Sequence, residues 1–298
     1  MSVNIKPNHP LKENILVAFS GGRTSGYMSK WLKDNMSHLY NFTFAYANTG
    51  LEHEKTLEFI NKCDEYFDLN LHWIEAVSNN GSDADYTITN YKDACRDNRL
   101  FKEMAKNYGL MNKVFMHCTR ELKNRPLKKF GRDYLNGDYR LALGIRHDEF
   151  HRVKNRIDVI YPLATITKTT KQEILNWWKE QPFDLEIEEH YGNCVGCYKK
   201  SDKKLKMIAD EAPEYFDPFI ELENKFKFVK SQTETEGRKI FRHFRTAYEV
   251  KNNLNLPTAL QELDECAEEC GSVISDYESV RVEAPGLFDF VGVSNECK

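Results

Sequence analysis

The chain has 298 residues, 41% of them hydrophobic and 12% aromatic, enough for a substantial core in one large domain or in a domain with a smaller appendage. Its net charge of −4 does not advertise a nucleic-acid binder, no apolar run approaches the ~18 residues of a membrane span, and the first residues lack the apolar segment of a secretory signal. A cytoplasmic protein without a membrane partner is therefore expected, and its eight cysteines read as reduced thiols or metal ligands rather than a disulfide framework.

Ile15–Phe19 is a short continuous apolar run, the pattern of a strand buried on both faces. It leads into Ser20-Gly21-Gly22-Arg23-Thr24-Ser25, after which Met28, Trp31, Leu32 and Met36 fall on one helical face. Glycines at such a turn allow positive φ and close approach of the backbone to an anion. Successive N–H groups and the helix N-terminus then form an anion nest, with Ser20 and Ser25 as hydroxyl donors and Arg23 as added charge. The plain alternative is an ordinary strand–turn–helix connection, and the Lys-Ser/Thr pair of the common nucleoside-triphosphate loop is missing.

Phe42–Ala47 reads as a second strand, residues 52–67 as a helix with Leu57, Ile60 and Phe67 inward, Leu69–Ala76 as a third strand and residues 79–85 as a loop. A helix over Leu100–Tyr108 precedes a strand at Val114–His117. Leu122–Tyr134 is expected to be helical, with Pro126 near its start or at a kink, and Tyr139–Ile145 is another strand. This βαβα order predicts an α/β fold with a doubly wound parallel sheet, which binds ligands at the carboxyl ends of its strands. After Tyr161-Pro162-Leu163 the character changes to a helix over Lys171–Glu180, the segment Cys194-Val-Gly-Cys197, and charged, mostly helical sequence to about Tyr248. The expected organisation is a nucleotide-binding α/β domain over 1–165, a mostly helical region with the C-x-x-C over 166–260, and an acidic extension over 261–298. Basic residues cluster: Thr119–Arg132 holds six against one acid, and Lys199–Lys206 holds five lysines against Asp202. These runs either guide a nucleic acid or form solvated helix faces.

Four stretches carry a resemblance to a known family. Ser20-Gly-Gly-x-x-Ser25 after a buried strand resembles the pyrophosphate loop of the PP-loop ATP pyrophosphatases (adenine nucleotide alpha hydrolase-like proteins), although many members carry Asp where this chain has Thr24. ANTGLEHEKTLEFI (Ala47–Ile60), HCTRELKNRPLKKF (His117–Phe130) and GIRHDEFHRV (Gly144–Val153) are similar to elements of the phosphoadenosine phosphosulfate (PAPS) reductase-like branch, in the same order. The resemblance spans roughly residues 14–200. It implies that the loop grips the β,γ-phosphates of ATP or another adenine nucleotide, with Mg²⁺ balancing their charge. It also implies that Asn48, Thr49 and Gly50 lie beside the adenosine, with Glu52 among the nucleotide-binding residues; the plain alternative for this segment is a turn. Arg146 and Arg152 suit bidentate contacts to phosphate or sulfate, and Lys123 suits neutralisation as a point charge. Asp148 and Glu149 either orient the arginines, hold Mg²⁺ or serve as structural ion-pair partners.

The cysteines extend the reading. In iron–sulfur members of the branch a Cys-Cys pair stands where this chain has His117-Cys118, together with a distant C-x-x-C. By that resemblance Cys118, Cys194 and Cys197 hold a [4Fe–4S] cluster, with His117 or a later cysteine as fourth ligand. The alternatives are Zn²⁺, since thiolates and an imidazole suit it equally, and no metal at all. Cys63 and Cys95 read as plain thiols. Glu269-Cys270-Gly271 resembles the mobile segment of sulfonucleotide reductases whose cysteine attacks sulfur, but the residues that should follow are absent.

The leading expectation is an enzyme that adenylates an acceptor with release of pyrophosphate and then transfers sulfur to it. The acceptor would be tRNA, DNA or a small metabolite, and the partners a sulfur-donor protein or thioredoxin-like reductant and a second copy of the chain. The alternatives are a PAPS or adenosine phosphosulfate reductase using Cys270, and a non-catalytic nucleotide-binding subunit with structural zinc.

Overall fold

The structure is a computed structural model that describes residues 12–78, 85–231, 235, 237–241 and 245–255. Cys270 and the acidic extension lie outside the described residues. The strands are Glu13–Phe19 (β1), Tyr40–Asn48 (β2), His72–Val77 (β3), Asp85–Thr89 (β4), Arg140–Ala142 (β5) and Val159–Ile160 (β6). Among the described residues they form one six-stranded sheet in the order β4-β3-β2-β1-β5-β6, parallel except for the β3–β4 pair. Helices cover both faces, as the apolar runs of the inner strands require.

Alternation along β1 divides the core. Ile15, Val17 and Phe19 pack with Met28 and Leu32 of α1 (Arg23–Met36), with Leu57 and Ile60 of α2 (Glu54–Phe67), and with Trp178. Leu16 faces the other way, with Ala45, Ile74, Leu141 and Phe130. A further apolar cluster gathers α3 (Arg99–Tyr108) and the later helices around Cys118, Cys194 and Cys197.

Three elements depart from the sequence expectation for identifiable reasons. Val114–His117 is not a strand. The Asn112 side chain accepts the N–H groups of Val114 at 2.9 Å and Phe115 at 2.8 Å, which turns the chain and leaves Val114 79% exposed. The third strand starts at His72 rather than Leu69, because Asp68 and Asn70 adopt left-handed backbone with φ of 51° and 54°. β4 is an antiparallel edge strand within a stretch without a burial pattern: Ile88 on it is 58% exposed. Elsewhere the boundaries follow local chemistry. His53 caps α2 by accepting the Lys55 N–H at 3.1 Å. A π-helical turn over Cys118–Asn124 gives way to α4 (Arg125–Tyr134), and Pro126, which has no N–H to donate, lies in the first turn of that helix.

Beyond β6 come α5 (Pro162–Thr165) and α6 (Lys171–Lys179), then α7 (Asp202–Glu211), α8 (Asp217–Phe226) and α9 (Ala247–Lys251). α6 buries Ile174 and Trp178 in the same core as β1 and α1. No helix of the described residues is long and apolar enough to cross a membrane.

Candidate functional site

The glycine loop stands at the carboxyl end of β1. Gly21 has φ of +85°, and a Cβ there would meet Thr56 Cγ2 at 3.0 Å and Ile60 Cδ1 at 3.1 Å, so this glycine seats the loop on α2. Gly22 is the N-cap of α1, makes no side-chain cap, and has open space where its Cβ would be. The α1 N-terminus therefore presents backbone N–H groups to a cavity of about 250 Å³ walled by Ser20–Thr24, Arg146, Arg152, Lys171, Glu188, Glu189, Gly192, Asn193 and Lys204 among others. Ser20 Oγ donates to Ser25 Oγ at 3.2 Å, and Ser25 Oγ to the Gly22 carbonyl at 2.9 Å. Arg23 lines the cavity, but its guanidinium forks onto the Asp184 carboxylate at 2.7 and 3.0 Å, which pins the loop to the segment after α6.

Beside the loop, Arg146 and the 3-10 turn over His147–Arg152 that it caps supply the cationic wall. Arg146 is 5% exposed. Its Nε donates to Asp148 Oδ1 at 3.1 Å, its Nη2 lies 3.3 Å from Glu149 Oε2, and its Nη1 donates to Thr24 Oγ1 at 3.4 Å. Glu149, itself buried, also accepts from Arg152. Two guanidinium groups are thus fixed around one carboxylate beside the loop. Thr24 is the loop's hydrogen-bond link to that wall.

Asn48, Thr49, Gly50 and Glu52 do not line this cavity. Asn48 is fully buried, its amide donating to Glu75 Oε1 at 2.7 Å and to the Cys95 carbonyl at 2.9 Å. Glu75 in turn accepts the Cys95 N–H at 2.6 Å and lies 3.2 Å from Arg99 Nη2. Gly50 has φ of +88°, and a Cβ there would lie 2.3 Å from the Asp97 carbonyl, so only glycine fits. Thr49 Oγ1 donates to Glu52 Oε1 at 2.6 Å and sits 3.1 Å from Cys194 Sγ, while the Val195 N–H donates to Leu51 O at 3.0 Å. Glu52 and Cys194 form an antiparallel bridge. The segment after β2 is therefore the dock of the C-x-x-C loop, and Gly50 and Glu52 line a second cavity of about 490 Å³ with Gly196.

Cys118, Cys194 and Cys197 are all buried in one apolar cluster, with Cys118 Sγ 3.6 Å from the Tyr198 hydroxyl. Residues 192–193 join the loop cavity to this cluster, and fully buried Lys200 donates from Nζ to the Gly192 carbonyl across the same loop. Burial, and then Arg120, hold His117 down at about 4. Its Nδ1 lies 3.5 Å from Arg120 Nη2, and its Nε2 is buried without a hydrogen-bond partner among the described residues. Lys123 is half-buried on the π-helical turn and does not line the loop cavity. Burial pushes the Cys63 and Cys95 thiols up, as suits plain core cysteines.

Several residues were not singled out from sequence. Asp184 and Glu75 carry no local motif, and only the fold brings them to Arg23 and Asn48. Glu188, His190 and Glu211 gather their ligand atoms within 4.8 Å of one another. Buried His190 lies 2.8 Å from Glu211 and 3.4 Å from Glu188, which is on the wall of the loop cavity. The fragment Glu188-x-His190 was a visible signal; its partner lies 21 residues on.

The chain is 35% identical over 202 residues to the uncharacterized nin region protein ORF290 of Escherichia phage lambda, an alignment that covers 66% of this chain and 69% of that protein. No family model matches the chain.

Proposed function

Since the chain belongs to the family of the uncharacterized nin region protein ORF290 of phage lambda, whose name states no activity, the function is argued from the site: we propose an ATP-using sulfur-transfer enzyme of the PP-loop, PAPS-reductase-like type. It would cleave ATP between the α- and β-phosphates, adenylate an acceptor and let sulfur displace AMP.

One observation carries this reading: the Ser20–Thr24 loop at the α1 N-terminus lines a single cavity together with Arg146 and Arg152. An acceptor oxygen attacks the α-phosphorus, the bond to the bridging oxygen breaks, and negative charge grows on the departing pyrophosphate. Backbone N–H groups of the loop and the α1 N-terminus suit that charge, because they are fixed before it develops, and the Ser20–Ser25–Gly22 hydrogen bonds hold the loop in that shape. Arg146 and Arg152 are held by Glu149, so their guanidinium planes need no reordering on binding. The orienting role of Asp148 and Glu149 is the one these contacts favour.

The donor atoms bear unequally on the implied metals. A single tetrahedral zinc holds its sulfurs about 3.8 Å apart. Zinc would take Cys118, Cys194 and Cys197 as thiolate ligands, with His117 as the fourth donor. The proposed sulfur transfer calls instead for a [4Fe–4S] cluster, for which the three cysteines buried in one apolar cluster offer thiolate ligands, and His117 Nε2 is buried without a partner among the described residues. Cys118, Cys194 and Cys197 would hold it, and when bound it would supply a binding point for the sulfur to be transferred. The mixed set Glu188, His190 and Glu211 suits Mg²⁺ poorly, since that ion takes oxygen ligands.

Calorimetric titration with ATP and a coupled assay for pyrophosphate test the reading. Wild-type protein should bind ATP and release pyrophosphate when an acceptor is supplied. Arg146→Lys, which keeps charge but loses the fork, should lower release at least tenfold (a loss of ~1.4 kcal/mol). Sulfite release from PAPS without any use of ATP would overturn it in favour of the reductase.

A further inference from the structure

A separate surface, none of whose residues lines the loop cavity, interleaves aromatic rings with cations. Tyr108 ends α3, Phe115 and His117 follow on the connector, Arg120 stands on the π-helical turn, and Lys230 and Arg238 come from the chain after α8. The contacts are continuous. The His117 ring is near-parallel to Phe115, centroids 5.7 Å apart, and lies 5.9 Å from Tyr108. The Arg238 guanidinium sits 4.4 Å over Phe115, while Arg120 and Lys230 sit 5.6 and 5.3 Å over Tyr108. Arg125 donates to the Tyr108 hydroxyl at 3.3 Å. Facing these cations is Glu121, the carboxylate with which Arg120 and Arg125 both pair.

A run of bases alone is ordinary solvated surface. Here the cations lie on rings, which holds the guanidinium planes flat and cuts the entropy lost when a ligand arrives. An acidic peptide would use the charges but brings few flat groups to stack on the rings and guanidinium planes. A lipid surface would need several exposed aliphatic side chains, and among the described residues of the connector Val114 is the large one exposed. A single strand of nucleic acid uses both features, phosphates against cations and unstacked bases against rings and guanidinium planes. The surface also adjoins the cysteine cluster, since His117 directly precedes buried Cys118.

We propose that Arg120, Lys230 and Arg238, with Tyr108 and Phe115, form a binding surface for single-stranded nucleic acid. That the strand is also the sulfur acceptor rests on the function proposed above; the binding itself does not.

Fluorescence anisotropy of labelled oligothymidylate and oligouridylate with the full chain, across a salt series and without ATP, tests it. Three phosphate contacts give a logarithmic salt slope of about −2 on a single strand, and Lys230→Ser or Arg238→Ser should each flatten it by about 0.7. Phe115→Leu keeps apolar volume but removes the π-face, and should weaken binding about fivefold or more. Displacement by inorganic polyphosphate as effective as by unlabelled oligonucleotide, together with wild-type affinity in Phe115→Leu, would reduce the surface to a polyanion patch and overturn the proposal. Wild-type affinity and slope in both charge variants would overturn it as well. ATP titration of Arg238→Ser should match wild type. Strand binding by a protein that binds no ATP would sink the proposed enzyme and leave this surface standing.

Discussion

At the scale of single residues, the two adjacent glycines of the loop do different work, and substitution separates them. Gly21 is held at positive φ against Thr56 and Ile60, so Gly21→Ala should cost about 1–2 kcal/mol of stability through backbone strain alone. Gly22 has extended backbone (φ −103°, ψ 167°) and open space at its Cβ position, so the fold tolerates a side chain there. That side chain would enter the cavity in front of the α1 N-terminus. Gly22→Val should therefore change thermal stability by no more than about 1 kcal/mol, the scale of an N-cap substitution, while abolishing calorimetric ATP binding. Unchanged ATP affinity in this variant would mean that the phosphates do not lie on the loop. The S-G-G-x-x-S pattern was legible because it concentrates unusual backbone in a few consecutive residues. Asp184, which holds Arg23 from 161 residues away, had no local pattern to betray it.

At the scale of elements, the strands and helices with strong periodicity were readable, and the exceptions share a cause. β1, β2, α1 and α2 bury continuous or one-faced apolar patterns, which sequence displays directly. Val114–His117 has the composition of a strand, but the Asn112 side chain takes its N–H groups first, a competition that hydrophobicity does not record. β4 lies on the edge, where one side of the ladder faces solvent and no apolar alternation is required. α6 was expected as a helix, but its job appears only in three dimensions. Trp178 donates from Nε1 to the Arg23 carbonyl at 2.9 Å, and its ring lies where a Cβ on Gly26 would come within 2.8 Å. It thereby presses α6 onto the first turn of α1, next to the glycine loop. Trp178→Phe removes that hydrogen bond and leaves a gap beside Gly26. The expected outcome is a loss of about 2–3 kcal/mol in urea unfolding, accompanied by weaker ATP binding. A stability loss without any change in ATP affinity would show that α6 supports the core and does not position the loop.

At the scale of the whole molecule, the chain carries a mostly parallel sheet and a second, helix-rich core, and that second core is held together in part by buried polar groups. Glu223 on α8 is one of them. It is 6% exposed and accepts the N–H of Ile240 at 2.8 Å and of Ala247 at 2.6 Å, tying the late chain to the second core. Nothing in the sequence marked it, because a glutamate in a charged helix normally faces water. Burial, opposed by those two hydrogen bonds, pushes its carboxyl up to about 7 from an ordinary value of 4.5. The neighbouring Glu249 carboxylate adds to the rise, and Lys239 opposes it. The sign follows from comparing folded and unfolded chains. Below pH 4.5 both hold the proton and the group is neutral to stability. Between 4.5 and 7 the unfolded chain releases its proton while the folded one retains it, so stability contributed here falls as pH rises, and it levels off above 7. A shift of this size corresponds to on the order of 3 kcal/mol. Glu223→Gln removes the titration. Its amide nitrogen will oppose one of the two backbone donors, but that cost is the same at every pH and cancels in a comparison. Measured by thermal denaturation, the variant should therefore gain on wild type between pH 5 and pH 8 by several degrees, at about 2–4 °C per kcal/mol for a chain of this size. A gap that stays constant with pH, or widens against the variant, would show that Glu223 is ionised in the folded protein and that its two backbone donors outweigh its burial.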